Sequence, residues 1–350
     1  MRFSNTSRFT RISTWAISAA AIVCVSSLAA QGTKGGADKV AIVNAPQKGA
    51  PPSGPNKVVV EHDQGLATHT VYRPENLGSS KHALLVWGEG GCAKNGLTFP
   101  EYLSEIASYG FVIVADGPPV MRAENGRGAP DQGRGGAPNA GAMGRGGAPD
   151  AAAMGRGGAP DAAARGRGGP GIPANMTDGT ALIQAIDWMA KEVADPTSRF
   201  YQKVDTTRVA AMGMSCGGLM SYGASADPRI ATVGIWNSGL IQPDEKIIAG
   251  LHSSVIIITG GESDMAYKNG KKDFETMPAR VPIFYGVYPS VGHGGTYNED
   301  NGGAFAVTAV AWLKWQLMND TSATGKGYFV GPQCGLCTNS QWQVHSRSLN

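Results

Sequence analysis

The run Val209-Ala210-Ala211-Met212-Gly213-Met214-Ser215-Cys216-Gly217-Gly218 constrains this chain more than any other. Its uncharged, apolar first half reads as a buried strand, Gly-x-Ser-x-Gly as a tight turn, and the residues beyond as the start of a helix. Glycines two before and two after Ser215 let backbone segments pass close together. The serine can then hold a strained turn with its hydroxyl clear of the sheet. Gly-x-Ser-x-Gly alone is a weak pattern in a chain with 50 glycines; the strand before it and the helix after it give it weight. A serine displayed in this way needs a base.

Downstream, Ser253 to Gly260 is a β-branched apolar run bounded by glycine, and it delivers Glu262 and Asp264 into the following loop. A further strand pattern, Ile283 to Tyr288, leads to Val291-Gly292-His293-Gly294-Gly295. Nucleophile, acid and histidine thus follow one another in the chain. Of the six histidines, only His293 lies beyond both the turn serine and the acid strand, in a glycine-rich loop ahead of a final helix. His293 is expected to take the proton of Ser215 and return it to a leaving alcohol, with Glu262 or Asp264 fixing the imidazole tautomer.

Two backbone N–H groups should stabilise a developing oxyanion. One belongs to Cys216, the residue after the serine. The other is expected from Gly88-Glu89-Gly90-Gly91-Cys92, the loop after the strand Ala83 to Trp87, with the amide of Glu89 preferred and Gly90 as the alternative. The same glycines do not complete a dinucleotide-binding G-x-G-x-x-G.

From Gly213 to about Asp320 the chain resembles the dienelactone-hydrolase-like, cutinase-like branch of the α/β-hydrolases, which includes bacterial polyester hydrolases. The pieces that carry the resemblance are the Gly-Met-Ser-Cys-Gly-Gly turn, Gly261-Glu262-Ser263-Asp264-Met265-Ala266, the His293 loop and the helix Ala309 to Trp315. The resemblance implies that the acid is Asp264, the aspartate of a Glu-x-Asp run. It also implies that Trp236, after the strand Ala231 to Ile235, lines the acyl side of the cleft. Polyester hydrolases usually carry an aromatic residue where this chain has Glu89, and a residue other than cysteine after the serine, so ester hydrolysis is implied more strongly than a polymer substrate.

Arg2, Arg8 and Arg11 precede an apolar run from Trp15 to Val25, followed by Ser27-Leu28-Ala29-Ala30. That is the pattern of a secretory signal peptide over 1–29, and it implies a secreted or periplasmic protein. Val23 is too bulky to precede a lipid-modified Cys24, and no membrane anchor is expected. Export leaves Cys92, Cys216, Cys334 and Cys337 in an oxidising compartment. Cys334-Gly335-Leu336-Cys337 lacks the second pair of a zinc site and the βαβ setting of a redox motif, so it reads as a local clasp. The remaining pair, Cys92 and Cys216, sits on the two loops that must converge around the oxyanion.

Residues 30–56 read as a Gly/Pro/Lys-rich linker. Residues 120–171 repeat Gly-Arg-Gly-Gly-Ala-Pro-Asp, a composition too poor in apolar residues to bury a core, and read as a disordered insertion within a hydrolase domain over 57–345. The formal charge of +3 comes from the arginines of 1–29 and of the insertion, leaving the folded body at about −3. Nucleic-acid binding is therefore not expected.

Eight strands near Val58 to Glu61, Thr68 to Arg73, Ala83 to Trp87, Phe111 to Ala115, Val209 to Met214, Ala231 to Ile235, Val255 to Thr259 and Ile283 to Tyr288 alternate with helices near Phe99 to Tyr109, Asp178 to Val193, Gly217 to Ala226 and Ala304 to Met318. This is the pattern of a doubly wound, mostly parallel α/β sheet, with the α/β-hydrolase fold as the specific expectation. No metal cluster, P-loop or nicotinamide fingerprint is present in the sequence, and the chemistry needs no cofactor. The expected function is serine carboxylic-ester hydrolysis by a monomer acting on a small-molecule or polymeric ester. An acyltransferase or peptidase on the same triad is the alternative within enzymes. A non-catalytic polyanion-binding protein that uses the Arg-Gly repeats is the alternative outside them.

Overall fold

Strands apolar on both faces must be covered on both sides, and the chain meets that demand with helices on the two faces of a single sheet. A computed structural model describes residues 39–121 and 177–349. The signal-peptide reading of 1–29 and nearly all of the insertion read at 120–171 lie outside them. The strands are β1 (Val40–Val43), β2 (Val58–Asp63), β3 (His69–Pro74), β4 (His82–Gly88), β5 (Val112–Asp116), β6 (Val204–Met214), β7 (Ile230–Trp236), β8 (Ser254–Thr259), β9 (Ile283–Val287) and β10 (Gln343–Arg347). The helices are α1 (Pro100–Ser108), α2 (Thr180–Ala194), α3 (Cys216–Ala224), α4 (Glu245–Gly250), α5 (Tyr267–Thr276) and α6 (Gly303–Met318).

The sheet order is β1-β2-β3-β5-β4-β6-β7-β8-β9-β10. Strands β4 to β9 are mutually parallel, and the antiparallel pairings lie toward the two edges. Among the described residues the sheet therefore has ten strands rather than eight. The two additions are edge strands that local pattern does not announce. β1 lies in the segment read as linker and pairs Val43 with Val60. The end of that segment is also held, with the Asn56 side chain donating to the Ser108 carbonyl at 2.8 Å. β10 is polar, exists by pairing with β9, and carries the domain past residue 345.

Alternation along the central strands sorts their side chains onto two faces. Leu85, Trp87, Ile113, Ala210, Met212, Ile256 and Phe284 pack against α1 and α6, which contribute Tyr102, Ile106, Phe305 and Trp312. Leu84, Val86, Val114, Ala211, Val233, Ile235 and Ile257 pack against α2 and α3 through Leu182, Ile186, Leu219 and Tyr222. β4 is flanked by β5 on one side and β6 on the other, so the chain leaves it in one direction and returns in the other. Such a switch point opens a crevice at the carboxyl ends of the strands, where the loops after β4 and β6 emerge.

Candidate active site

Ser215 is the single residue between β6 and α3, with φ +53° and ψ −114°. A backbone like this costs a non-glycine residue on the order of 1–3 kcal/mol and persists only where its surroundings enforce it. Here the Ser215 N–H donates to the Trp236 carbonyl at 2.8 Å, and the Ser215 carbonyl accepts from Ser238 Oγ at 2.6 Å and from the Gly218 N–H at 3.0 Å. The glycines flanking the serine are steric necessities. A Cβ on Gly217 would overlap the Gly88 carbonyl, and one on Gly213 would overlap the Gly217 backbone.

The structure brings His293 to this serine across 78 residues of sequence, with Nε2 at 3.0 Å from Ser215 Oγ. On the other side of the ring, Nδ1 lies 2.6 Å from Asp264 Oδ1. Asp264 is buried and also accepts from the N–H groups of Gly260 (3.0 Å) and Ala266 (2.9 Å) and from Asn237 Nδ2 (2.8 Å). Burial works against its ionisation, but the hydrogen bonds from His293, Gly260, Ala266 and Asn237 outweigh it and hold the carboxyl below its usual range. An ionised Asp264 can only accept, so Nδ1 carries the proton and Nε2 is left as an acceptor for the serine hydroxyl. Glu262 is exposed and makes no hydrogen bond to His293, so the acid that meets the histidine is Asp264.

The loop after β4 lies against the serine turn. Gly88 packs on Gly217, and Cys92 and Cys216 lie at disulfide distance with Cα atoms 5.2 Å apart. Cys334 and Cys337 form the second such pair, at 5.0 Å. Cys216 is the first residue of α3, a position whose N–H has no acceptor within the helix. The Glu89 side chain turns inward. It is fully buried, and burial, opposed by the nearby Trp87 and Thr98 side chains and reinforced by the charge of Asp116, pushes its carboxyl well above the ordinary range.

Trp236 corrects the expectation from sequence. It is fully buried, 5.9 Å from the Tyr102 ring and 5.6 Å from Phe305, and does not line an open cleft. Strand parity is the reason: with Val233 and Ile235 facing α2 and α3, Trp236 must face α1 and α6.

Sequence reasoning missed Asn237 and Tyr297. Asn237, fully buried at φ +43°, donates to Asp264 and to the Gly292 carbonyl, and its Oδ1 accepts from Tyr297. The one local signal was an asparagine directly after a strand, a residue type that tolerates positive φ. Among the described residues no group of three or more His, Cys, Asp or Glu could hold a metal ion, and no helix is long and apolar enough to cross a membrane. Compared with protein-family models and with curated proteins, the chain matches none.

Proposed function

We propose that this chain is an exported serine carboxylic-ester hydrolase of the α/β-hydrolase fold, working through an acyl-enzyme. The observation that carries the reading is the continuous hydrogen-bonded series Asp264–His293–Ser215, at 2.6 and 3.0 Å, with the serine on a strained turn at a sheet switch point. Ser215 Oγ attacks the ester carbonyl while His293 Nε2 takes its proton, and the resulting imidazolium is stabilised by the Asp264 carboxylate. The oxyanion is held by the Cys216 N–H and by an amide of the β4 loop, that of Glu89 or Gly90. His293 then returns the proton to the departing alcohol. Water repeats the sequence to release the acid. Two cysteine pairs at disulfide distance support an oxidising address, as the N-terminal sequence does.

A fluorophosphonate probe tests the reading directly. Wild-type protein is expected to be labelled at Ser215 and to hydrolyse p-nitrophenyl acetate. Ser215→Ala is expected to lose both the label and the activity, since removal of a triad nucleophile costs on the order of 10⁶ in kcat. Labelling elsewhere, or a Ser215→Ala variant within tenfold of wild type, removes Ser215 from the mechanism. A panel of acyl chain lengths, feruloyl and acetyl esters and a polyester film then assigns the substrate class.

A further inference from the structure

A buried polar chain continues behind the triad. Tyr297 is fully buried, with its ring 4.6 Å from Phe99 and 5.1 Å from Tyr102, and it donates its O–H to Asn237 Oδ1 at 2.6 Å. Asn237 Nδ2 donates to Asp264 Oδ2 at 2.8 Å and to the Gly292 carbonyl at 3.0 Å. The backbone N–H of Asn237 is itself anchored on the Ile258 carbonyl of β8 at 2.7 Å. Both amide hydrogens therefore go to the acid and to the residue preceding His293, while the amide oxygen faces a hydroxyl donor. The network has one consistent orientation, because a flipped amide would set its oxygen against two acceptors.

We propose that Asn237 is a positioning residue of the triad: its two N–H bonds lock the acid loop to the histidine loop, and Tyr297 fixes the orientation of its amide. The inference rests on the reading of Ser215, His293 and Asp264 as a working triad. An apolar residue would fill the same core volume, but it would leave Asp264 Oδ2 with the Gly260 N–H as its single donor and the Gly292 carbonyl without this partner. The titratable groups that surround the amide are Asp264 on the loop after β8 and His293 and Tyr297 on the segment after β9, with Tyr102 of α1 beyond Tyr297. Burial keeps the Tyr297 hydroxyl neutral, so it remains a donor throughout the working pH range.

Asn237→Asp tests this. It keeps the side-chain shape and the tolerance for positive φ. While protonated, the introduced carboxyl can still donate to Asp264. Once ionised, the oxygen that replaces Nδ2 faces two acceptors, Asp264 Oδ2 and the Gly292 carbonyl, and two carboxyls in one buried site push one of the two titrations strongly upward. The pH profile of kcat/KM is therefore expected to gain an alkaline limb absent from wild type, falling at least tenfold between its maximum and pH 9. Tyr297→Phe, which removes the orienting donor, is expected to lower kcat about tenfold with KM little changed. An Asn237→Asp profile parallel to wild type overturns the inference. If Asn237→Asp does not fold, a Tyr297→Phe kcat within twofold of wild type overturns it. A wild-type protein that hydrolyses no ester overturns the functional reading and this inference together, whereas an active wild type beside a parallel variant profile overturns the inference alone.

Discussion

On the proposed mechanism, Cys92→Ser removes a disulfide tie between the loop after β4 and the serine turn, the two places from which the oxyanion donors would come, and its effects on rate and on stability can be separated. The pair closes a segment with a sequence separation of 124. In the chain-entropy model such a closure contributes about 5 kcal/mol, against about 2 kcal/mol for the Cys334–Cys337 clasp with its separation of 3. Set against a total stability of about 5–15 kcal/mol, the first should dominate any response to reductant, lowering Tm by roughly 10 to 20 °C. The rate effect follows from what else holds the loop. Gly88 remains paired with Gly213 in the sheet and packed on Gly217, but Gly91 and Cys92 are exposed and both at positive φ, with the Ala93 N–H to Gly90 carbonyl bond as a local tie. Complete loss of an oxyanion donor costs about 10²–10³ in kcat. A donor loosened at one end, with its strand intact, should cost less, about 10- to 100-fold, and should fall on kcat rather than KM. The assay is steady-state hydrolysis of p-nitrophenyl acetate by wild type, Cys92→Ser and the Cys334→Ser/Cys337→Ser control, at a temperature where circular dichroism shows all three folded. A folded Cys92→Ser with kcat within twofold of wild type refutes the preorganisation argument. Alkylation of both Cys92 and Cys216 in unreduced, denatured protein refutes the bond itself.

Asp264→Asn is expected to lower kcat by about 10⁴, as loss of the tautomer-fixing carboxylate does in other triads, while Glu262→Gln leaves it within about twofold; the reverse order in parallel kinetics would unseat Asp264. Stability should fall as pH rises on the neutral side, because burial raises two carboxyls above their unfolded values. Asp273 rises from 3.8 to about 6, and Glu89 rises well above its ordinary range. Each binds more protons folded than unfolded between those limits, so its contribution is full below the unfolded value and is lost through the folded one. Glu89→Gln is expected to flatten this decline, and urea melts at pH 5 and pH 8.5 showing the same pH dependence in variant and wild type would exclude a neutral, buried Glu89.

The central strands were legible in sequence because they are buried on both faces, and an unbroken β-branched run such as Val255-Ile256-Ile257-Ile258 has few other ways to satisfy its backbone and hide its side chains. The serine turn was legible for a steric reason, since Gly213 and Gly217 stand where a side chain cannot fit. Other features had no local signature. β1 is four residues long, β10 reads Gln-Val-His-Ser-Arg, and α5 is largely polar; β1 and β10 exist as strands through the neighbours they pair with. The inward turn of Trp236 depends on strand parity set by the whole sheet. Asn237 acquires its role from Gly292, 55 residues away, and from Tyr297, 60 residues away. Periodicity and composition report how a residue is buried relative to its chain neighbours, and by themselves they determined the class of the sheet and the place of the serine. Which buried polar atoms face one another depends on register and loop closure across the sheet, so the acid–histidine–serine distances, the Asn237 lock and the burial of Glu89 were decided by the tertiary structure alone.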